Sequence, residues 1–385
     1  MVTKSTFSPR THMRPPPAAC LRRYAYRTLV QCHAPSCRRA ADYGVADGDG
    51  LVDVSDPSGL CSGSGFRGNR RTGSGGFSLS FAGYEQRGAG QRFEELRTKL
   101  PNNADIPEAL GMITRQQGRW NASRAYTDQA ISLSPQDRLL RDEAGTVRQA
   151  TRDFPAALRT FEAALSIWPD EPALIDGKAQ VYQALGELDQ ADALLAKLRP
   201  TAEHPHGVET ICYQATLRRR FDGAISLLEI CLDQASSLPP LVRTAYRQHL
   251  GDLQRLSGNA AAANLYYSRV RDEYEQALKE QPANADWNLS QLAYAYAGLG
   301  DLQHALTLAD RAISLTPDGP LLEETRARIA ARFGQSDLAI PILEHLLKTS
   351  YSGTPPLTPA LLRLDPDFDP LRGNPRFQKL CEEKH

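Results

Sequence analysis

The sequence predicts an all-α fold, an α-solenoid made of stacked helix pairs, and two observations carry that prediction. Pro101, Pro135 and Pro169 recur at intervals of 34 residues. Ahead of Pro169, small and aromatic side chains stand at fixed spacing in Ala157-x3-Phe161-x2-Ala164. This period and pattern fit two antiparallel helices with small residues where they cross. Because one such pair cannot bury its apolar face alone, neighbouring pairs must stack.

Composition divides the 385 residues into three parts. Residues 1–84 are a low-complexity segment rich in Arg, Gly, Ser and Pro and are predicted to be disordered. Residues 90–349 form the solenoid, and residues 350–385 form a C-terminal capping segment with two short helices, at about 358–363 and 374–382. Lys plus Arg and Asp plus Glu both total 45. This balance gives no electrostatic reason to expect a nucleic acid on the solenoid or a membrane partner.

The first 84 residues leave two interpretations open, a genuine disordered segment or a misassigned start codon. Three patterns in or near this segment carry no chemistry. The glycines of 63–68 fit a phosphate-binding spacing, but no strand precedes them and no helix follows. Cys32, His33 and Cys37 lack the second half of a zinc site, and the pair His204 and His206 lacks further ligands.

Within the solenoid the repeat predicts about seven helix pairs, with a truncated unit before Pro101. Their ranges are 104–137, 138–171, 172–203, 208–234, 241–282, 286–319 and 320–348, and the fifth has a long second helix at about 260–280. Small residues such as Ala305 are assigned to the helix crossings. We therefore expect Ala305→Phe to overpack a crossing and to destabilise the protein by about 1–3 kcal/mol.

These recurrent positions resemble the tetratricopeptide repeat over about 250 residues. The resemblance implies a right-handed superhelix whose concave groove, formed mainly by the first helix of each pair, holds a protein or peptide. The C-terminal stretch from Thr358 through Asp369-Pro-Leu-Arg to Pro375-Arg-Phe is similar to the ending of a bacterial group of repeat regions. Those regions follow serine/threonine kinase, nucleotide-cyclase or winged-helix regulator domains, and no such domain is recognisable in this sequence.

The groove prediction rests on first-helix positions that alternate with the core. We assign to it Arg115, Asp142, Gln149, Asp176, Gln180, Gln183, Tyr213, Asp252, Arg255, Tyr294 and Arg328. A carboxylate clamp of the kind that binds chaperone C-termini is excluded, because Glu108, Asp142, Asp176 and Glu209 stand where such a clamp needs Lys and Asn. Arg255, Arg328 and Arg332 further along predict a groove of mixed charge.

No residue pattern indicates catalysis, a cofactor or a metal site. Asp365, Asp367 and Asp369 alternate as in a calcium loop, but Pro370 and Arg376 replace the required Gly and Glu, so capping and turn roles are predicted. The leading hypothesis is a non-enzymatic scaffold. The alternative is the regulatory or sensory C-terminal region of a bacterial signalling enzyme or winged-helix regulator. Scattered cysteines without a secretory signal predict a cytoplasmic protein, and the oligomeric state stays open.

Overall fold

The computed structural model describes residues 83–202, 206–234, 238–280, 285–352 and 355–382, with side chains from residue 90 onward. The low-complexity patterns of residues 1–82 and the histidine at position 204 lie outside this part. In chain order the helices are α1 Gly83–Lys99, α2 Asp105–Gln116, α3 Trp120–Leu133, α4 Arg138–Ala150, α5 Phe154–Leu165, α6 Pro172–Leu185, α7 Leu188–Leu195, α8 Val208–Arg218, α9 Asp222–Asp233, α10 Pro240–Leu256, α11 Ala260–Glu280, α12 Ala285–Gly298, α13 Leu302–Leu315, α14 Pro320–Arg332, α15 Ser336–Leu346, α16 Pro359–Leu364, a 3₁₀ helix Pro366–Leu371 and α17 Pro375–Glu382.

Local chemistry explains where these helices begin. The Asp137 side chain accepts hydrogen bonds from the first-turn amides of Leu139 and Leu140, and so caps α4. Pro172, at the start of α6, needs no amide partner in the first turn, and its ring fixes the φ angle that a helix requires.

The helices pair in sequence from α2 with α3 to α14 with α15, which gives seven pairs in the described residues, and α1 packs against α2. We refer to the first helix of each pair as helix A and to the second as helix B. Every described element is helical, and consecutive pairs stack on one another. The predicted fold class, an α-solenoid of helix pairs, is confirmed.

Close approach between neighbouring A helices depends on glycine at two levels of the stack. The fully buried ring of Phe161 lies between Gly145 of α4 and Gly177 of α6. A Cβ atom at those glycines would come within 2.3 Å and 2.5 Å of the ring. Tyr267 occupies the matching place between Gly251 and Gly298. Each aromatic ring therefore fills the space where two A helices meet one B helix.

The C-terminal segment, residues 355–382, covers the last pair and then extends further than the sequence predicts. Phe368 and Phe377 are fully buried in one cluster with Ala327 of α14 and with Ile340 and Leu343 of α15. However, α16 also packs against α6 and α8, which precede it by more than 140 residues. The segment thus crosses the solenoid as well as covering its end.

Candidate protein-binding site on the concave surface

The C-terminal segment lies against the ends of successive A helices. Thr358 caps α16 through the amide of Leu361 and donates its hydroxyl hydrogen to the Ala184 carbonyl at the end of α6, over 2.6 Å. Just beyond it, Ala360 meets Gly186 so closely that a Cβ on that glycine would lie 3.0 Å from the Ala360 Cβ. This contact fixes the start of the segment against the middle of the solenoid.

Asp365 anchors the next part of the segment. Its Oδ2 accepts from Arg328 Nη1 of α14 at 2.7 Å and from the Tyr213 hydroxyl of α8 at 3.0 Å, and Arg328 also pairs with Glu324 at 2.8 Å. The side chain of Asp365 is 1% exposed. The other oxygen accepts from the Asp367 amide, which is the capping role predicted from the sequence. The ion pairs across the concave surface are an additional role that the sequence analysis missed.

Asp367, two residues further, joins three A helices at one carboxylate. It accepts from Arg332 Nε of α14 at 2.7 Å, from Arg255 Nη2 of α10 at 3.0 Å and from the Tyr294 hydroxyl of α12 at 2.8 Å. Arg332 also donates to Asp252 at 2.9 Å. Because a buried charge is stable only when it is paired, this network fixes the spacing of the three helices.

Asp367, Arg328 and Arg332 stay charged. Burial alone would raise the pKa of Asp367, but Arg332, Arg255 and Arg328 more than offset it and hold that pKa well below its usual range. Burial likewise opposes the charge on Arg328 and Arg332. Asp365 beside Arg328 and Asp367 beside Arg332 nevertheless raise both guanidinium pKa values above the ordinary value. The contact is therefore ionic throughout the neutral pH range.

Two further arginines hold the segment from the turns between helix A and helix B. In the described residues each of the seven turns has one residue with a positive φ, which is glycine in five turns and arginine in two: Gly118, Arg152, Gly186, Arg219, Gly258, Gly300 and Gly334. A left-handed conformation costs an arginine about 1 kcal/mol or more. Arg152 donates to the carbonyls of Leu346, Thr349 and Leu357, and Arg219 pairs with Asp369 at 2.8 Å. The two turns that have arginine in place of glycine are therefore the turns whose side chains contact the C-terminal region.

A cavity of about 250 Å³ remains between the segment and the concave surface, and we call it the cup. Its walls are the inner faces of α8, α10, α12 and α14, and Asp365 and Asp367 close one side. Gln248 as a residue is 6% exposed, and neither its Oε1 nor its Nε2 has a hydrogen-bond partner. Trp287 Nε1, Arg255 Nε and Arg332 Nη1 lack partners in the same way, and all four residues line the cup.

The predicted groove residues separate into two groups. Five of them line the cup: Tyr213, Asp252, Arg255, Tyr294 and Arg328. The other six, Arg115, Asp142, Gln149, Asp176, Gln180 and Gln183, lie on α2, α4 and α6 outside it. Arg115 is buried and pairs with Glu143 at 2.7 Å, and Gln183 donates to the Thr210 carbonyl and to Gln214 at 3.0 Å each. These two side chains join successive A helices.

Sequence reasoning missed Gln248 and Trp287, although a signal for both was present. Gln248 precedes Asp252 by four residues, and Trp287 precedes Tyr294 by seven, so each shares a helix face with a predicted groove residue. The arginines at positions 152 and 219 also had a signal, since they occupy turn positions that hold glycine in five other repeats. The partners of those arginines were not readable from local spacing.

Among residues 83–382, apart from the four internal gaps, no group of three or more His, Cys, Asp or Glu side chains is placed to hold a metal ion. No helix there is both long and apolar enough to cross a membrane.

Comparison with known proteins finds one family model that matches part of the chain. A tetratricopeptide repeat model matches residues 149–206, and no curated protein matches the chain. A tetratricopeptide repeat protein from Parabacteroides merdae is 16% identical in sequence, with 68% of this chain and 94% of that chain covered and a TM-score of 0.42. Yeast Tom70 is 15% identical, with 78% and 63% covered and a TM-score of 0.45. A thermophilic repeat protein of Thermus thermophilus is 17% identical, with 59% and 98% covered and a TM-score of 0.32.

These matches do not bear on the similarity of the C-terminal stretch to kinase-, cyclase- and regulator-associated regions, which stays a hypothesis. Residues 149–206, which match the tetratricopeptide repeat model, contain α5, α6 and α7 of the stack of helix pairs.

Proposed function

We propose that this protein is a non-enzymatic scaffold that binds a protein partner on its concave surface, and that the cup is where the partner enters. A solenoid of this type is suited to protein–protein interaction because its stacked A helices present one extended inner face. Here the C-terminal segment covers the part of that face at the A–B turns. The cup is the part of the face that remains beside it.

The observation that carries the proposal is the combination of a cavity with buried, unpartnered polar side chains on three neighbouring A helices. Leaving a buried polar atom without a partner costs about 1–3 kcal/mol. A partner that supplies the missing hydrogen bonds recovers part of that cost. Leu241, Leu253 and Leu321 in the same walls offer apolar contact. A mixed apolar and polar cavity is typical of recognition sites.

The test is a selection of binding peptides from a random display library on the full chain, repeated with two matched variants. Ala245→Trp places a large side chain in the cup, whereas Ala163→Trp places it on the exposed surface of α5. We expect peptides selected on the native protein to bind the Ala163→Trp variant equally and the Ala245→Trp variant at least tenfold more weakly. Equal binding to all three proteins would refute the assignment of the cup.

A further inference from the structure

The C-terminal segment contacts the first pairs of the solenoid as well as the last. Trp120, at the start of α3, packs against the apolar cluster that contains Phe377 of the segment. Arg152, in the turn of the second pair, donates to the Leu357 carbonyl over 2.5 Å. The third pair accepts a hydrogen bond from the segment at the Ala184 carbonyl. The segment therefore touches each of the first three pairs.

Three aspartates of the segment join the other four pairs. Side chains of α8, α10, α12 and α14 and of the turn after α8 donate to Asp365, Asp367 and Asp369. Among the described residues, all seven pairs thus contact one short segment. In a simple solenoid each pair contacts only its neighbours, so distant pairs open independently. Here the segment adds contacts between pairs that are far apart in the stack.

The part of the segment from Thr358 to Asp367 is stiff, because local hydrogen bonds follow one another along it. The Leu361 amide donates to the Thr358 hydroxyl oxygen at 3.1 Å, and the Asp365 amide donates to the Leu361 carbonyl at 2.9 Å. The Asp367 amide then donates to the Asp365 carboxylate at 3.0 Å. Two prolines in this part fix further backbone angles. A displacement at one end is therefore transmitted to the other.

We infer that the C-terminal segment is a conformational lock that holds the seven pairs at one curvature and couples the pairs at its two ends. Loosening its contacts with α10, α12 and α14 then also loosens α4 and α6. Because coupling between two places is reciprocal, loosening the segment at Thr358 must also affect α12 and α14. The lock holds one side of the cup in place as well, since Asp365 and Asp367 form that side.

The experiment compares amide hydrogen exchange, measured by mass spectrometry, in the full chain and in Asp367→Asn. The side-chain partners of Asp367 lie on α10, α12 and α14. We nevertheless expect the amides of α4 and α6 to exchange at least tenfold faster in this variant, because a buried ion pair is broken and the released segment loosens those helices too.

A matched control separates the segment from the stack itself. Asp310→Asn makes the same substitution in an ion pair that joins α13 to Arg326 of α14, outside the segment. Exchange in α4 and α6 should be the same in this variant as in the native protein. Acceleration confined to α10, α12 and α14 in Asp367→Asn would overturn the inference. Acceleration of α4 and α6 by Asp310→Asn as well would also overturn it, because the coupling would then pass through neighbouring pairs.

Thr358→Val tests the reverse direction with a milder change. It keeps the shape of the side chain and removes the hydrogen bonds to the Ala184 carbonyl and the Leu361 amide. We expect the amides of α12 and α14 to exchange about threefold faster, as the loss of a hydrogen bond predicts. Thr307→Val, which removes an exposed hydroxyl bond within α13, should leave α14 unchanged. Native rates in Thr358→Val would refute the lock even where Asp367→Asn does not fold.

A distance measurement tests the curvature. Spin-labelled noncanonical residues at the exposed positions 159 of α5 and 303 of α13 report the separation of the second and sixth pairs by pulsed electron resonance. We expect a broader distance distribution in Asp367→Asn than in the native chain or in Asp310→Asn. Identical distributions in all three proteins would overturn the inference. None of these readouts requires a partner, so the lock and the proposed function can fail separately.

Discussion

The ion pairs of the C-terminal segment allow two identical substitutions, two residues apart, to be compared. The side chain of Asp367 is 7% exposed and forms an ion pair with that of Arg332, which is 6% exposed. Removing one partner of a buried pair leaves an uncompensated charge and costs about 3–5 kcal/mol. Asp369 is 38% exposed and pairs with Arg219, which is 49% exposed, so its pair contributes at most about 1 kcal/mol. We therefore expect Asp367→Ala to lower the free energy of unfolding by about 2–4 kcal/mol more than Asp369→Ala.

Urea unfolding at pH 7 measures this difference, provided that the slope m is unchanged between the variants. Because a long repeat array can lose cooperativity, amide hydrogen exchange of residues 359–380 gives an independent readout of the same contact. A double variant, Asp367→Ala with Arg332→Met, should lose less than the two single variants together, since the buried charge is removed with its partner. Equal losses from Asp367→Ala and Asp369→Ala, or strict additivity in the double variant, would refute the buried network.

Three further predictions follow from the structure. Arg152→Gly should destabilise the protein, because it loses hydrogen bonds to three carbonyls. Arg219→Gly relieves a left-handed conformation and loses only an exposed ion pair, so thermal unfolding should place its Tm at or above that of the native protein. Gly145→Ala should lower the free energy of unfolding by about 1–3 kcal/mol, because its Cβ would lie 2.3 Å from Phe161. Gly223→Ala in α9 places a Cβ with nothing within 4 Å and should raise the free energy of unfolding by about 0.5–1 kcal/mol. Similar values for the two variants would contradict the packing around Phe161. The depressed pKa of Asp367 stabilises the fold at every pH above about 3.9, the pKa of an aspartate in the unfolded chain, and this contribution falls as the pH drops toward the pKa of Asp367 in the folded protein. The difference in the free energy of unfolding between the native protein and Asp367→Asn should therefore be constant from about pH 7 to 5 and shrink below about pH 4.

Local repetition made the solenoid predictable. The proline period, the alanines at the helix crossings and the turn glycines each depend on contacts within one helix pair, so they can be predicted from the order of residues along the chain. The same holds for the inner face of helix A, where five of the eleven assigned residues line the cup. Asp137 and Thr358 show that caps are also local, because each acts within three residues of itself.

The contacts of the C-terminal segment could not be predicted, because they depend on the curvature of the solenoid. The number of repeats per turn of the superhelix decides whether residue 365 can reach residue 213, and curvature is the sum of small rotations that no single repeat encodes. The alternation of Asp365, Asp367 and Asp369 was visible, but its distant arginine partners lie on α10 and α14 and on the turn after α8. For the same reason the cup depends on how far the segment extends across the A helices.

The C-terminal segment crosses the concave surface to α8 instead of only covering the last pair. The most direct test of this crossing is photocrosslinking from a benzophenone-bearing phenylalanine at position 369 of the full chain, followed by peptide mass spectrometry. The structure predicts adducts with the turn that contains Arg219 and Phe221, about 150 residues away in sequence. Adducts confined to peptides of α14 and α15 would contradict it.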